Sequence, residues 1–128
     1  MIGLATLRRV ATTTIARVGE VMPGGTKRFV LDCGDGEIAG FLVNVDGLHH
    51  AYVNRCRHVP MELDWVENQF FTDDGAYLQC ATHGALYLPD TGECVAGPPC
   101  GRSLVRIALT IQDGVIRGEC PGPLPDDV

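Results

Sequence analysis

The sequence predicts an all-β domain. Short apolar segments rich in β-branched residues recur along the chain, Gly, Pro and Asp-Gly pairs separate them, and no long stretch has the 3.6-residue periodicity of a helix. The chain has 128 residues, which is enough for one hydrophobic core. We therefore expect a single domain over residues 1–128, with a poorly ordered tail at about 121–128.

Four strands are expected in the first half of the chain: ARVGEV (16–21), KRFVLDC (27–33), IAGFLVNV (38–45) and LHHAYVN (48–54). The Asp46-Gly47 pair between the last two is typical of a two-residue hairpin turn. His49 and His50 are adjacent on the fourth strand, where alternation places them on opposite faces. This favours a structural role for both.

Beyond residue 54 the alternation is lost over a stretch rich in Pro, Asp, Gly and Cys that extends to about residue 101. Inside it we expect two brief strands, AYLQC (76–80) and ALYL (85–88), and a short helical turn in WVENQF (65–70). A final hairpin is expected from SLVRIALTIQ (103–112), the Asp113-Gly114 turn and VIRGEC (115–120). An irregular segment of this length inside a small domain is usually functional.

The charge balance restricts the partners. The net charge is −6 at pH 7, from 10 basic and 16 acidic residues. Such a chain is not suited to nucleic acid or to an anionic membrane, but it suits docking on a basic protein surface. No apolar run predicts a signal sequence or a membrane span, so we expect a cytoplasmic protein.

Two short motifs in the irregular segment carry the candidate chemistry. CRH contains Cys56 and His58, and CATHG contains Cys80 and His83. Thiolate and neutral imidazole both bind iron and zinc, and each pair is short enough for both side chains to approach one point. The four side chains suit either a single zinc ion or a two-iron cluster with the cysteines on one iron and the histidines on the other.

These motifs resemble those of the Rieske [2Fe–2S] proteins. The resemblance rests on Cys56-Arg-His58, on Cys80-Ala-Thr-His83-Gly84 and on the later Gly97-Pro98-Pro99, which is similar to the proline-containing loop that covers the cluster in that family. In weaker form it extends over the strand order from about 15 to 120. It implies a Rieske fold, an antiparallel β-sandwich with a small inserted rubredoxin-like cluster-binding subdomain at about 54–101.

The resemblance also implies one [2Fe–2S] cluster per chain and two ligands for each of its irons. Cys56 and Cys80 would hold the buried iron, and His58 and His83 would hold the outer iron, from which electrons pass to a docked partner. Zinc is the weaker alternative, because zinc fingers usually pair cysteine with cysteine and histidine with histidine.

Departures from the family pattern indicate the low-potential, ferredoxin-type branch. Met61 and Thr82 stand where members of the cytochrome bc complexes have two further cysteines, joined as a disulfide. Ala85 replaces a serine that donates to a cluster sulfur, whereas Tyr87 matches a second such donor and equally suits a core strand residue. The expected potential therefore lies in the lower half of the range of about −150 to +300 mV. The residues expected around the cluster are Gly84, Ala85, Tyr87, Pro98 and Pro99.

The resulting functional hypothesis is a soluble one-electron carrier, not an enzyme, between a flavin reductase and an oxygenase or similar acceptor. A chain of 128 residues leaves no room for a catalytic mononuclear-iron domain. Two alternatives stay open: the small Rieske subunit of a larger reductase or oxygenase complex, and a zinc-stabilised Cys2His2 interaction module.

The spacer between the two motifs, residues 59–79, is longer than is usual for carriers of the family. We expect Trp65, Phe70 and Phe71 to anchor it to the core. Its acidic residues are expected to form a solvated loop, with steering of a basic partner as the alternative. They are Glu62, Asp64, Glu67, Asp73 and Asp74.

Four cysteines lie outside the two motifs. Cys33 and Cys120 fall at strand ends, and we expect them to be separate, partly buried thiols. Cys94 and Cys100 bracket VAGPP, and here too thiols are expected, with a disulfide as the alternative.

Overall fold

The computed structural model describes residues 12–33, 36–54, 70–72, 74–80, 85–97 and 103–121. These ranges contain ten β-strands in three antiparallel sheets, and no helix. The predicted all-β class is therefore confirmed. Most of the proposed helical turn at 65–70 and of the tail at 121–128 lies outside the described residues.

The central sheet has the strand order β2-β3-β4-β8. Its strands are β2 (Thr26–Asp32), β3 (Glu37–Val45), β4 (Leu48–Val53) and β8 (Arg106–Ile107). The hairpin between β3 and β4 turns at Asp46 and Gly47, whose φ angles of 53° and 92° are both left-handed, as a type I′ turn requires. Three of the four strands expected in the first half thus form within one or two residues of the predicted bounds.

The outer sheet has the order β1-β10-β9 and consists of β1 (Thr12–Arg17), β9 (Leu109–Gln112) and β10 (Val115–Glu119). Asp113 and Gly114 form its hairpin turn, with φ angles of 53° and 75°. The expected first strand at 16–21 is misplaced. β1 ends at Arg17 because Glu20 folds back there: its Oε1 accepts from the Arg17 amide at 3.0 Å, and its own amide donates to the Arg17 carbonyl at 3.0 Å.

The segment 103–112 was expected to be one strand, and this expectation is wrong. Its first part, β8, pairs with β4 in the central sheet, and its second part, β9, pairs with β10 in the outer sheet. The chain changes sheet at Ala108, whose carbonyl accepts from the Glu119 amide at 3.0 Å. A strand that passes from one sheet to the other in this way closes the corner of a sandwich.

Two hydrophobic cores lie on opposite faces of the central sheet. The sandwich core fills the space between the central and outer sheets, and its members include Leu31, Leu42 and Ile116. The second core, here the site-side core, includes Phe41, Val43 and Tyr52 from the other face. Both faces of the central sheet are therefore covered.

Cys33 and Cys120 form a disulfide, so the expectation of two separate thiols is wrong. Cys33 follows β2 and Cys120 follows β10, and their Cα atoms are 5.8 Å apart. The two strand ends meet because Gly118 and Leu31 face each other in the sandwich core, where a methyl group on Gly118 would lie 3.2 Å from Leu31 Cδ2. The partners are 87 residues apart and in different sheets, so no local pattern indicates the bond.

The double substitution Cys33→Ala with Cys120→Ala is expected to lower the free energy of unfolding by roughly 3–5 kcal/mol, because opening so long a loop returns conformational entropy to the unfolded chain. Chemical denaturation followed by circular dichroism measures the change. A reductant should shift the wild-type transition in the same direction and leave that of the double variant in place. Equal stability of both proteins without reductant would contradict this role.

Candidate metal centre

A third, small sheet carries the described part of the candidate site. Its order is β5-β6-β7, with β5 (Leu78–Gln79), β6 (Leu86–Tyr87) and β7 (Cys94–Ala96). It falls within residues 54–101, the range expected for the cluster-binding subdomain. β5 and β6 lie inside the two brief strands predicted there, whereas β7 was not expected.

Cys80 is the one predicted ligand that lies within the described residues, since Cys56, His58 and His83 lie outside them. It directly follows β5 and is completely buried in the site-side core. Its amide donates to the carbonyl of Ala85, the residue after the CATHG motif, at 2.9 Å. A thiolate in such a place requires a compensating positive charge, and a metal ion supplies one.

Gly97 brings a second predicted segment to the same place. It has a φ of 99° and packs so closely on Ala85 that a Cβ at Gly97 would lie 2.9 Å from the Ala85 Cα. Only glycine suits both the backbone conformation and the approach. The residue before Pro98-Pro99 therefore lies against the residue after the CATHG motif. Gly84, Pro98 and Pro99 themselves lie outside the described residues.

Tyr87 is completely buried beside these elements. On β6 it pairs with Leu78 of β5 and with Cys94 of β7, and its ring belongs to the same core as Cys80. This position agrees with both interpretations of Tyr87, as a core residue and as a hydrogen-bond donor near the cluster.

Two phenylalanines attach the end of the long spacer to the central sheet and to the small sheet. Phe70 is 1% exposed and stacks on Phe41, with ring centroids 4.1 Å apart and planes inclined by 13°. Phe71 forms a β-bridge with Leu78 and packs against the site-side core. Their predicted anchoring role is confirmed. Trp65, the third expected anchor, lies outside the described residues.

Asp74 is the one acidic spacer residue that lies within the described residues. Its Oδ1 accepts from the Thr72 hydroxyl at 2.6 Å and from the Ala76 amide at 3.0 Å. These hydrogen bonds, with that of Thr72 first, lower the pKa of Asp74. Its carboxylate thus organises a local turn, and the steering hypothesis for the other four acidic residues stays a prediction.

Of the bracketing cysteines, Cys94 is buried, and its Sγ donates to the Ala96 carbonyl at 3.2 Å. Cys100 lies outside the described residues, so the expectation of two thiols stays a prediction.

A polar cluster on β4 and β8 was missed by the sequence analysis. Nδ1 of His50 lies 2.6 Å from a guanidinium nitrogen of Arg106, which contacts the neighbouring turn and the ring of Tyr52. Its members are far apart in sequence, and neither an isolated arginine on a strand nor a His-His pair indicates such a contact.

Among the residues described, no group of three or more His, Cys, Asp or Glu side chains is placed to hold a metal ion. No helix in that same part of the chain is long and apolar enough to cross a membrane.

Comparison with known proteins identifies the fold. Among solved structures, the ferredoxin of carbazole 1,9a-dioxygenase from Nocardioides aromaticivorans IC177 is 17% identical with a TM-score of 0.66, and the alignment covers 84% of this chain and 96% of that one. A ferredoxin from Sphingomonas yanoikuyae B1 is 24% identical with a TM-score of 0.64, with coverage of 86% and 99%. The terminal oxygenase of carbazole 1,9a-dioxygenase from Novosphingobium sp. KA1 is 21% identical with a TM-score of 0.69, with coverage of 93% of this chain and 32% of that one.

A search of curated proteins found no match. The family model of the Rieske [2Fe–2S] domain matches residues 12–112, which include both Cys/His motifs, Gly97-Pro98-Pro99 and nine of the ten strands. The expected fold and [2Fe–2S] cofactor are thereby confirmed. It belongs to the Rieske [2Fe–2S] family.

Proposed function

We propose that this chain is a one-electron carrier whose cluster is held by Cys56 and Cys80 on one iron and by His58 and His83 on the other. The observation that supports this assignment is the family match over residues 12–112, which covers both motifs. The carrier takes electrons from a flavin reductase and passes them to an oxygenase or a similar acceptor. As a further part of the proposal, residues 1–128 form one domain with the cluster-binding subdomain at about 54–101 and a tail at about 121–128.

The described residues fit a [2Fe–2S] cluster. Cys80 offers a thiol in a fully buried position, and Gly97, the residue before Pro98, lies against Ala85, the residue after the CATHG motif. When bound, the cluster supplies reversible one-electron storage. The ligands of the chain set the net charge of the cluster, because two thiolates and two neutral imidazoles leave a less negative centre than four thiolates do.

An oxygenase is the acceptor that the structural relatives favour. One similar structure is a complex of a reduced oxygenase with an oxidised ferredoxin in carbazole 1,9a-dioxygenase, with a TM-score of 0.66. The similarity to a terminal oxygenase, of which 32% is covered, favours a second candidate, a Rieske component that stays bound to a larger enzyme. Purification alone or with a partner distinguishes the two. We further propose a cytoplasmic location, where the expected reductase would supply electrons; the Cys33–Cys120 disulfide, a bond that is rare in that compartment, is the observation that opposes it.

The first test is the visible absorption spectrum of the purified protein with iron and sulfide analysis. We expect a coloured, reducible protein with two irons and two sulfides per chain. A colourless protein with one zinc ion would contradict the carrier hypothesis and support the zinc-stabilised interaction module.

His58→Cys is expected to lower the midpoint potential by on the order of 100 mV or more in any cluster that assembles, because a thiolate adds a negative charge to the iron. Potentiometric titration followed by electron paramagnetic resonance measures it. His49→Cys is the matched control, since His49 lies on β4 outside the proposed site. A potential that does not move in His58→Cys would rule out a ligand role for His58.

Tyr87→Phe tests the proposed hydroxyl donor. If the hydroxyl donates to the cluster, its removal leaves the reduced form less stabilised, and the midpoint potential should fall by several tens of mV, on the order of 1 kcal/mol for one hydrogen bond. Tyr77→Phe, a partly buried tyrosine at the start of the same sheet, is the control. An unchanged potential with reduced stability would assign Tyr87 to the core alone.

A further inference from the structure

The turn between β6 and β7, residues 88–93, joins the small sheet to the central sheet. Within the turn, the Leu88 amide donates to Glu93 O at 2.9 Å and the Gly92 amide to Leu88 O at 2.8 Å. The Leu104 amide, just before β8, donates to Gly92 O at 2.8 Å. This turn is therefore a fixed unit in contact with the strand that leads into the central sheet.

Tyr52 of β4 contacts this turn through both its hydroxyl and its ring. Its hydroxyl donates to the Pro89 carbonyl at 2.8 Å. Its ring packs against Gly92, where an added Cβ would lie 2.8 Å from Tyr52 Cε1 and φ is 80°. Burial raises the pKa of Tyr52 to about 12, so the hydroxyl keeps the proton that it donates.

Arg106, directly opposite Tyr52 in the β4–β8 register, binds the same turn through its guanidinium group. One terminal nitrogen donates to the Asp90 carbonyl at 3.0 Å and lies 3.5 Å from the Tyr52 hydroxyl. The other terminal nitrogen is the one 2.6 Å from His50 Nδ1. The guanidinium carbon lies 5.7 Å from the centre of the Tyr52 ring, within the range of a cation–π contact.

The contact between Arg106 and His50 requires a neutral imidazole. Arginine only donates, so Nδ1 must accept, which fixes the proton of neutral His50 on Nε2. A proton on Nδ1 would remove the acceptor and place two cations together. The charged and titratable groups that face His50 are Arg106 on β8, Asp90 in the turn, and its neighbours His49 and Tyr52 on β4.

We infer that His50, Tyr52 and Arg106 form a latch that positions the small sheet, and with it the two segments that meet at the cluster. β6 begins one residue after Ala85, and β7 ends one residue before Gly97, so both strands lead from the latched turn to the Ala85–Gly97 contact. The three are positioning residues, because they act on the site through these strands. The link to the cluster rests on the proposed function, whereas the latch itself does not.

The latch should open in acid. Burial, followed by the charge of Arg106, lowers the pKa of His50 from 6.5, while Asp90 opposes this shift. The unfolded chain therefore takes up the proton first, so the contribution of the latch to stability is complete above pH 6.5 and declines as the pH falls toward the lowered value. At neutral pH the latch is closed.

Amide hydrogen exchange in the purified protein tests the latch without reference to the cluster. Arg106→Met should accelerate exchange at the Gly92 and Leu104 amides by about tenfold, the factor that corresponds to one hydrogen bond to a charged group. Arg117→Met, at an exposed position of β10 in the outer sheet, is the matched control and should leave both amides unchanged. Tyr52→Phe, which removes only the hydroxyl, should accelerate exchange in the same residues and keeps the test valid if Arg106→Met is poorly folded. Wild-type exchange at both amides in Arg106→Met and Tyr52→Phe would overturn the proposal.

The rate at which a chelator bleaches the cluster, measured from pH 8 to pH 4.5, tests the link to the site and the role of His50. The wild type should bleach faster as the pH falls below about 6.5, and Arg106→Met should bleach several-fold faster than Arg117→Met at neutral pH. His50→Asn offers an acceptor oxygen close to the position of Nδ1 but does not titrate, so it should keep the slow neutral rate and lose the excess acid rate. His50→Leu offers no acceptor and does not titrate, so it should bleach faster than His50→Asn at neutral pH and likewise lose the excess acid rate.

Two outcomes would overturn parts of the proposal separately. If His50→Asn kept the acid profile of the wild type, the proton would act elsewhere than on His50. If exchange accelerated as expected but bleaching did not, the latch would not position the cluster. A protein that holds no cluster at all would refute the proposed function, while the exchange experiment would still decide the latch.

Discussion

The burial of the central sheet on both faces is the constraint on which the other features depend. Along β3, Leu42 enters the sandwich core while its neighbours Phe41 and Val43 enter the site-side core, and all three are 0% exposed. A strand that is buried on both faces has a continuous apolar sequence rather than an alternating one, as FLV shows. Each fully buried side chain of this size contributes roughly 1.5–3 kcal/mol. One strand therefore stabilises two layers at once.

The small sheet depends on this support because it is too small to be stable alone. Its strands have two or three residues each, far below what an independent sheet requires. Two residues of the central sheet provide this support. Phe41 stacks on Phe70, and Tyr52 contacts the turn at 88–93. The segments that meet at Ala85 and Gly97 are thus supported by one face of the central sheet, and the other face of that sheet packs in the sandwich core.

A rigid support suits electron transfer. A centre that gains and loses one electron works best when the groups around it do not have to reorganise at each step. Cys80 is held by the hydrogen bond from its backbone amide to the Ala85 carbonyl and by complete burial. In the proposed site, the same burial would exclude water from the Cys80 thiolate. In the proposed site, the lack of a hydroxyl at Ala85 would leave negative charge on the reduced form less compensated, as expected for a carrier of low potential.

The sequence by itself determined the features that depend on neighbouring residues. The Asp46-Gly47 and Asp113-Gly114 turns follow from the left-handed conformations that these pairs accept. Strands β2, β3 and β4 follow from short segments rich in apolar and β-branched residues between turn signals. The two Cys/His motifs were equally local, and they were sufficient to identify the family and its cofactor.

Only the tertiary structure decided the features that join distant parts of the chain. The Cys33–Cys120 bond and the change of sheet at Ala108 depend on how separate sheets meet. The contact of His50 with Arg106 depends on the pairing of β4 with β8, two strands of one sheet that are far apart in the chain. β7 depends likewise on β6 as a partner, because its three residues have no strand pattern of their own. Sequence patterns report which face of an element is apolar, but not which other element will cover it, and that choice is made by packing across long separations in the chain.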